Sequence, residues 1–128
     1  MKTQENNPQD WILLAEERLQ SADALVQSRG VCYSAIELLQ ESLERYLKGF
    51  LISRNWKLER IHDLNRLLDL CQDHSTEFSR FAPLAQSLTE QFWAQHYPGD
   101  DLSEIGDDYH ELRRQAEELI HLIKGVMG

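Results

Sequence analysis

The chain is poor in residues that interrupt helices and has no segment that would cross a bilayer. Three prolines and six glycines among 128 residues leave few obligatory turns. Intrinsic disorder is therefore not expected beyond the polar start, Met1 to Asn7. No apolar run approaches the ~20 residues a spanning helix needs. The start, MKTQENNPQD, lacks the apolar core of a signal peptide. Cysteine is scarce too: Cys32 and Cys71 stand among apolar residues without CxxC-type spacing. Together these absences lead us to expect a cytoplasmic protein with two buried, reduced thiols rather than a disulfide or a metal site. No glycine-rich phosphate loop, nucleophile elbow, HExxH or EF-hand pattern is present. That argues against a conventional NTPase and implies no cofactor or metal. Any chemistry must come from dispersed side chains.

Positive charge is also in short supply. Thirteen Lys and Arg against 22 Asp and Glu give a net charge of −9. That total opposes non-specific binding to nucleic acid. The distribution is uneven, however. Arg45, Lys48, Arg54, Lys57, Arg60 and Arg66 cluster in a stretch where only Glu59 and Asp63 are acidic. Acidic residues dominate from Gly99 to Glu118. An acidic protein can still present one local basic surface.

What the chain does have is helical periodicity. Asn7 can cap a helix with Pro8 at its first position, where the missing N–H has no intrahelical partner. Trp11, Leu14, Ala15, Leu19, Ala22, Leu25 and Val26 follow at helical spacing, and Gly30 provides a stop. This predicts a first helix over about Pro8 to Ser28. A second runs from about Val31 to Ser53, with a broad apolar stripe from Ala35 to Leu51 that several neighbours must cover. It reads as the central helix. A short third helix is expected over Asp63 to Gln72. A fourth follows Ser75, and Pro83 predicts a kink or fresh start within it. Gln95 to Gly106 reads as the main loop, with a turn at Tyr97-Pro98-Gly99-Asp100. A last helix is expected from about Asp107 to Val126. No segment alternates with period two. The fold class is therefore all-α: an antiparallel up-and-down bundle of four to five helices. The domain reading is a flexible Met1–Asn7 followed by a single helical domain over 8–128.

Three features hold chemistry-bearing residues. Gln40, Glu44 and Lys48 form a ladder at steps of four on one helix face, in the order that favours a Glu–Lys pair. From spacing alone this reads as an exposed ion pair. His62-Asp63 precedes a helix start, where Asp63 suits the positive helix end and His62 can cap, move a proton or contact phosphate. The turn Gln95-His96-Tyr97-Pro98-Gly99-Asp100-Asp101 holds an imidazole, a phenol and two carboxylates. Its adjacent carboxylates do not have the spacing of a metal loop. His74, His110 and His121 have no ligand-like partners and read as structural or surface residues. Phe92 reads as core, while Trp93, with Phe92 and Tyr97, is a candidate for an interface.

Read together, the run Trp11…Ala15-Glu16…Leu19…Ala22, then Ala35…Gln40…Glu44-Arg45-Tyr46-Leu47-Lys48, then Ile61-His62-Asp63-Leu64…Leu67-Leu68, then Tyr97-Pro98-Gly99-Asp100, resembles the HEPN domain family (higher eukaryotes and prokaryotes nucleotide-binding), in its small prokaryotic stand-alone form. The resemblance covers about Asp10 to Val126. It implies an antiparallel helical bundle that commonly forms a homodimer. Many members are encoded beside a minimal nucleotidyltransferase in toxin–antitoxin-like pairs. Some are metal-independent RNases that use an Arg followed, after a few polar residues, by a His, brought together across the dimer.

This sequence departs from that pattern. The most similar branch reads Arg-Tyr-Pro-Asp at the turn; here His96 replaces the Arg, and the next histidine is His110. RNase chemistry needs a cation for the developing phosphorane and an acid/base for the protons. Asp100 and Asp101 would repel an RNA phosphate. The expectation is therefore a non-catalytic HEPN-like protein that binds a nucleotide or a nucleotidyltransferase partner. Arg45 and Lys48 would offer charge to phosphate, His62 a hydrogen bond, and Gln40, Glu44, His96, Tyr97, Asp100 and Asp101 polar groups. The alternatives are a diverged RNase toxin using His96 and His62, and a purely structural dimeric interaction module.

Overall fold

The computed structural model describes residues 2–94 and 105–128; the side chains of 94 and 105–107 are outside the description. Among these residues there are five α-helices and no strand. Helix α1, Pro8–Arg29, begins as expected: the Asn7 side chain accepts a hydrogen bond from Gln9 N, and Pro8 occupies the first turn. It ends at Gly30, whose φ of 81° places it where a side chain would be strained. Before the helix, Trp11 Nε1 donates to Glu5 O at 2.8 Å and Gln4 N donates to Asp10 Oδ2 at 2.9 Å.

Helix α2, Tyr33–Ser53, touches every other α-helix and is the centre of the bundle. Its closest partner is α1, and the seam is lined by small residues. Ala35, Ser42 and Gly49 recur at heptad spacing on α2, with Ser42 opposite Ala15 and Gly49 opposite Pro8. Ser42 Oγ donates to Ala15 O at 2.8 Å from a fully buried position. A Cβ on Gly49 would meet Ile12 Cδ1 at 3.0 Å and Trp11 Cβ at 3.1 Å, so this glycine sets the approach of the two helices. Register and the short Gly30–Cys32 connection make the pair antiparallel.

Helix α2 stops through Asn55, the sole non-glycine with positive φ (66°) among the described residues. Trp56 N donates to Leu51 O at 3.0 Å and Asn55 N to Ile52 O at 3.1 Å, a left-handed helix termination. The chain then reverses toward helix α3, Leu64–Gln72, which Asp63 caps by accepting from Asn65 N at 2.9 Å. A 3₁₀ segment, Thr76–Phe81, leads into helix α4, Ala82–Ala94. Pro83 lies in the first turn of α4, so it marks a fresh start rather than a kink.

Helix α5, Ile105–Met127, completes the bundle. It runs antiparallel to α1: Arg113 holds Asp23 through two hydrogen bonds of 2.8 and 2.9 Å, and Lys124 reaches Glu16 at 3.1 Å. It runs parallel to α2, since Lys124 lies over the Tyr46 ring and Arg54 donates to Val126 O. The core is continuous from Ile36 and Leu39 through Leu43, Leu47 and Phe50 to Leu68, Phe78 and Ile120. One expectation is corrected here. Cys71 is fully buried, but Cys32 stands half-buried just before α2, because it occupies the cap position of that helix. Burial pushes the Cys71 thiol from 9.0 up to about 12. No helix among the described residues is long and apolar enough to cross a membrane.

Candidate functional site

Among the described residues, one side of α2 is left uncovered by apolar packing. There a cleft of about 580 Å³ opens between α2, the approach to α3 and the end of α4. That volume is within the range of small-ligand pockets. Helix α2 contributes Gln40, Glu41, Glu44 and Arg45; the start of α3 contributes His62, Asp63 and Asn65; α4 contributes Thr89, Phe92 and Trp93. Each group reaches the cleft for a local reason. Positions 40, 41, 44 and 45 form one helical face. The reversal after Asn55 returns the chain along α2 and brings His62 beside Glu44. Thr89 and Phe92 are one turn apart on α4.

Glu44 is the hub. Its Oε2 accepts from Lys48 Nζ at 2.9 Å and lies 3.1 Å from His62 Nδ1. An ionised carboxylate only accepts, so His62 Nδ1 is the donor in this contact, and Nε2 is the second ring nitrogen. The His62 side chain is 80% exposed, so this second nitrogen is open to solvent.

Lys48 corrects the reading from spacing. The ladder is not an exposed ion pair, because Lys48 is only 4% exposed. Its ammonium lies 5.6 Å from the centre of the Trp11 ring, under the beginning of α1. It does not line the cleft. Its role is to neutralise Glu44 from behind, not to offer charge to a phosphate.

The other carboxylates are also engaged. Glu41 Oε2 lies 3.0 Å from Arg18 Nε in an ion pair, and Asp63 caps α3. Arg45 is held only loosely: its Nη1 is 3.9 Å from Glu41 Oε2, and this buried nitrogen has no hydrogen-bond partner among the described residues. Gln40 is 6% exposed, and its buried Oε1 likewise has no partner among the described residues. Buried polar atoms are ordinarily satisfied, and each unmade bond costs roughly 1–3 kcal/mol. The cleft therefore holds a cation and an amide with unused hydrogen-bonding capacity, facing an aromatic wall. Phe92 and Trp93 form that wall, their rings edge to face at 5.5 Å.

The structure thus brings Gln40, Glu44, Arg45 and His62 together and turns Lys48 away. His96, Tyr97, Asp100 and Asp101 lie outside the described residues. Sequence reasoning did not single out Glu41, Asn65 or Thr89. Glu41 was legible as one turn before Arg45, and Asn65 as the amide that Asp63 caps. Phe92, read as core, is half-buried on the cleft. Among the described residues, no group of three His, Cys, Asp or Glu is placed to hold a metal ion.

Comparison with curated proteins and with solved structures returns no match. The model of the HEPN domain matches residues 8–126, from the first residue of α1 nearly to the end of α5. The chain belongs to the HEPN domain family.

Proposed function

We propose that this HEPN protein is a non-catalytic nucleotide-binding protein and that the α2–α4 cleft is its binding site. The observation that carries this reading is the pair of buried polar atoms, Gln40 Oε1 and Arg45 Nη1, that have no hydrogen-bond partner among the described residues and belong to residues lining one cavity with Phe92 and Trp93. An aromatic wall suits a base, since every base has a π-face. A guanidinium suits a phosphate, which it binds through paired N–H donors. The test is thermal unfolding and titration calorimetry with nucleoside monophosphates and triphosphates. Saturable binding and a raised melting temperature are expected, both weakened in Arg45→Ala. No response at millimolar nucleotide would remove the reading.

Family membership supports a biological setting: one half of a toxin–antitoxin-like pair with a minimal nucleotidyltransferase as partner. Homodimer formation is part of the same proposal. Leu13 and Leu14, 43% and 39% exposed on α1, are apolar surface that self-association would cover. Light scattering on the purified chain and co-purification with the neighbouring gene product test these two statements separately.

A second reading, a diverged metal-independent RNase, is favoured by one geometric fact. The Glu44–His62 pair, 3.1 Å apart, orients an imidazole for proton transfer in the cleft that holds Arg45. That supplies an acid/base and a cation in one place. Incubation with RNA in the presence of a chelator separates the two readings. Cleavage abolished by His62→Ala favours the nuclease; intact RNA together with nucleotide binding favours the first reading.

A further inference from the structure

We infer that Glu41 is a built-in competitor for the phosphate of the ligand, and that Arg18 of α1 joins Arg45 in holding that phosphate once Glu41 moves aside. This rests on the nucleotide-binding reading above and specifies how the site is regulated. One carboxylate oxygen stands between two guanidiniums from different helices. Glu41 Oε2 lies 3.0 Å from Arg18 Nε and 3.9 Å from Arg45 Nη1. Both nitrogens are buried, and neither has a hydrogen-bond partner among the described residues. Arg45 Nη1 is too far from Glu41 for one; Arg18 Nε is near enough but not aligned. A single, poorly matched acceptor therefore faces two donors that burial ordinarily requires to be paired.

The mismatch has a geometric cause. Glu41 and Arg45 are one turn apart on α2, whereas Arg18 approaches from α1, so one oxygen does not align with both. A phosphoryl group carries three terminal oxygens spread tetrahedrally and can give one to each arginine. Glu41 lines the cleft and Arg18 does not, so the second arginine is reached where the Glu41 carboxylate now stands. The Glu41 side chain is 38% exposed, which lets it turn out to solvent. With Glu41 in place the site is closed by its own anion. The ligand binds only the fraction of molecules in which Glu41 has left, and its apparent affinity falls by that fraction.

The discriminating variant is Glu41→Gln, which keeps the length and helix preference of the side chain and removes its charge. The test is calorimetric titration of the full chain with AMP and with adenosine, which lacks the phosphate, alongside melting temperatures that confirm folding. Glu41→Gln should bind AMP about threefold or more tighter than the wild type and adenosine no tighter. Glu37→Gln removes the same charge one turn earlier, from an exposed position with no contact to either arginine among the described residues, and should move AMP affinity by less than about twofold. Adding Arg18→Gln to Glu41→Gln should cancel the gain. Equal AMP affinity of wild type and Glu41→Gln, an equal gain in Glu37→Gln or for adenosine, or a gain that survives the loss of Arg18 would overturn the inference while leaving nucleotide binding standing. Failure of both the wild type and Glu41→Gln to bind AMP would remove the nucleotide reading and this inference with it.

Discussion

Ser42 and Gln40 are two residues apart on α2, and both are buried, yet their surroundings differ. Ser42 faces α1, where its hydroxyl donates to Ala15 O and small residues let the backbones close up around it. Gln40 faces the cleft, where its carbonyl oxygen has no partner among the described residues. The seam side of α2 spends its polar groups on stability. The cleft side keeps two of them, on Gln40 and Arg45, uncommitted at a cost in stability. Gln40 Oε1 and Arg45 Nη1 share the cleft face of α2, whereas the other unmet buried atoms among the described residues, Arg18 Nε, Gln91 Oε1 and the Tyr109 hydroxyl, belong to α1, α4 and α5.

The largest test of this contrast is alkaline. Cys71, Tyr46 and Tyr109 belong to the closed core, away from the cleft. Burial pushes the Cys71 thiol to about 12, and burial reinforced by nearby carboxylates pushes both phenols from 10.0 to about 12. Each raised value means the folded state resists ionisation that the unfolded chain accepts. Their contribution to stability is fully present below about pH 9 and is lost as pH rises toward 12. Denaturant midpoints should hold steady to pH 9 and fall steeply above it. A flat profile to pH 11 would show that the core is open.

Next in size is Lys48→Met. It leaves the mostly buried Glu44 carboxylate with only the exposed His62 for company, at a cost of about 3 kcal/mol. Adding Glu44→Gln should restore part of the loss, since the uncompensated charge is then gone. Urea unfolding measures both, and the absence of recovery in the double variant would contradict the neutralising role given to Lys48. Gly49→Val forces the α1–α2 seam apart, because its added atoms meet Ile12 and Trp11; about 2 kcal/mol of destabilisation is expected. A neutral result would mean that the seam yields easily and the contrast between the two sides is weaker than drawn. The smallest effect has the opposite sign. Gln40→Leu removes an unsatisfied amide and should stabilise the ligand-free protein by about 1 kcal/mol, read as a higher melting temperature. Loss of stability instead would mean that Gln40 is a structural residue.

The course of the helices was legible where caps and periodicity agreed. Asn7-Pro8, Gly30, Asp63 and Pro83 act where their chemistry predicted. The site was legible only in part. A ladder at steps of four states which residues share a face but not what covers that face, so Lys48 read as exposed although α1 buries it. The meeting of Glu44 with His62 depends on the left-handed turn at Asn55, which returns the chain along α2 and has no strong signature in the sequence. Phe92 looked like core for a related reason: helical spacing marks a residue as facing inward, without saying whether the space it faces is filled.

The most direct test of the account is titration of AMP into the wild-type chain and into Arg45→Ala, with melting temperatures measured on both. The account predicts saturable binding to the wild type, a loss of about tenfold or more in the variant, and an unligated melting temperature that does not fall. Equal affinity of the two proteins, or no binding to either at millimolar AMP, would contradict it.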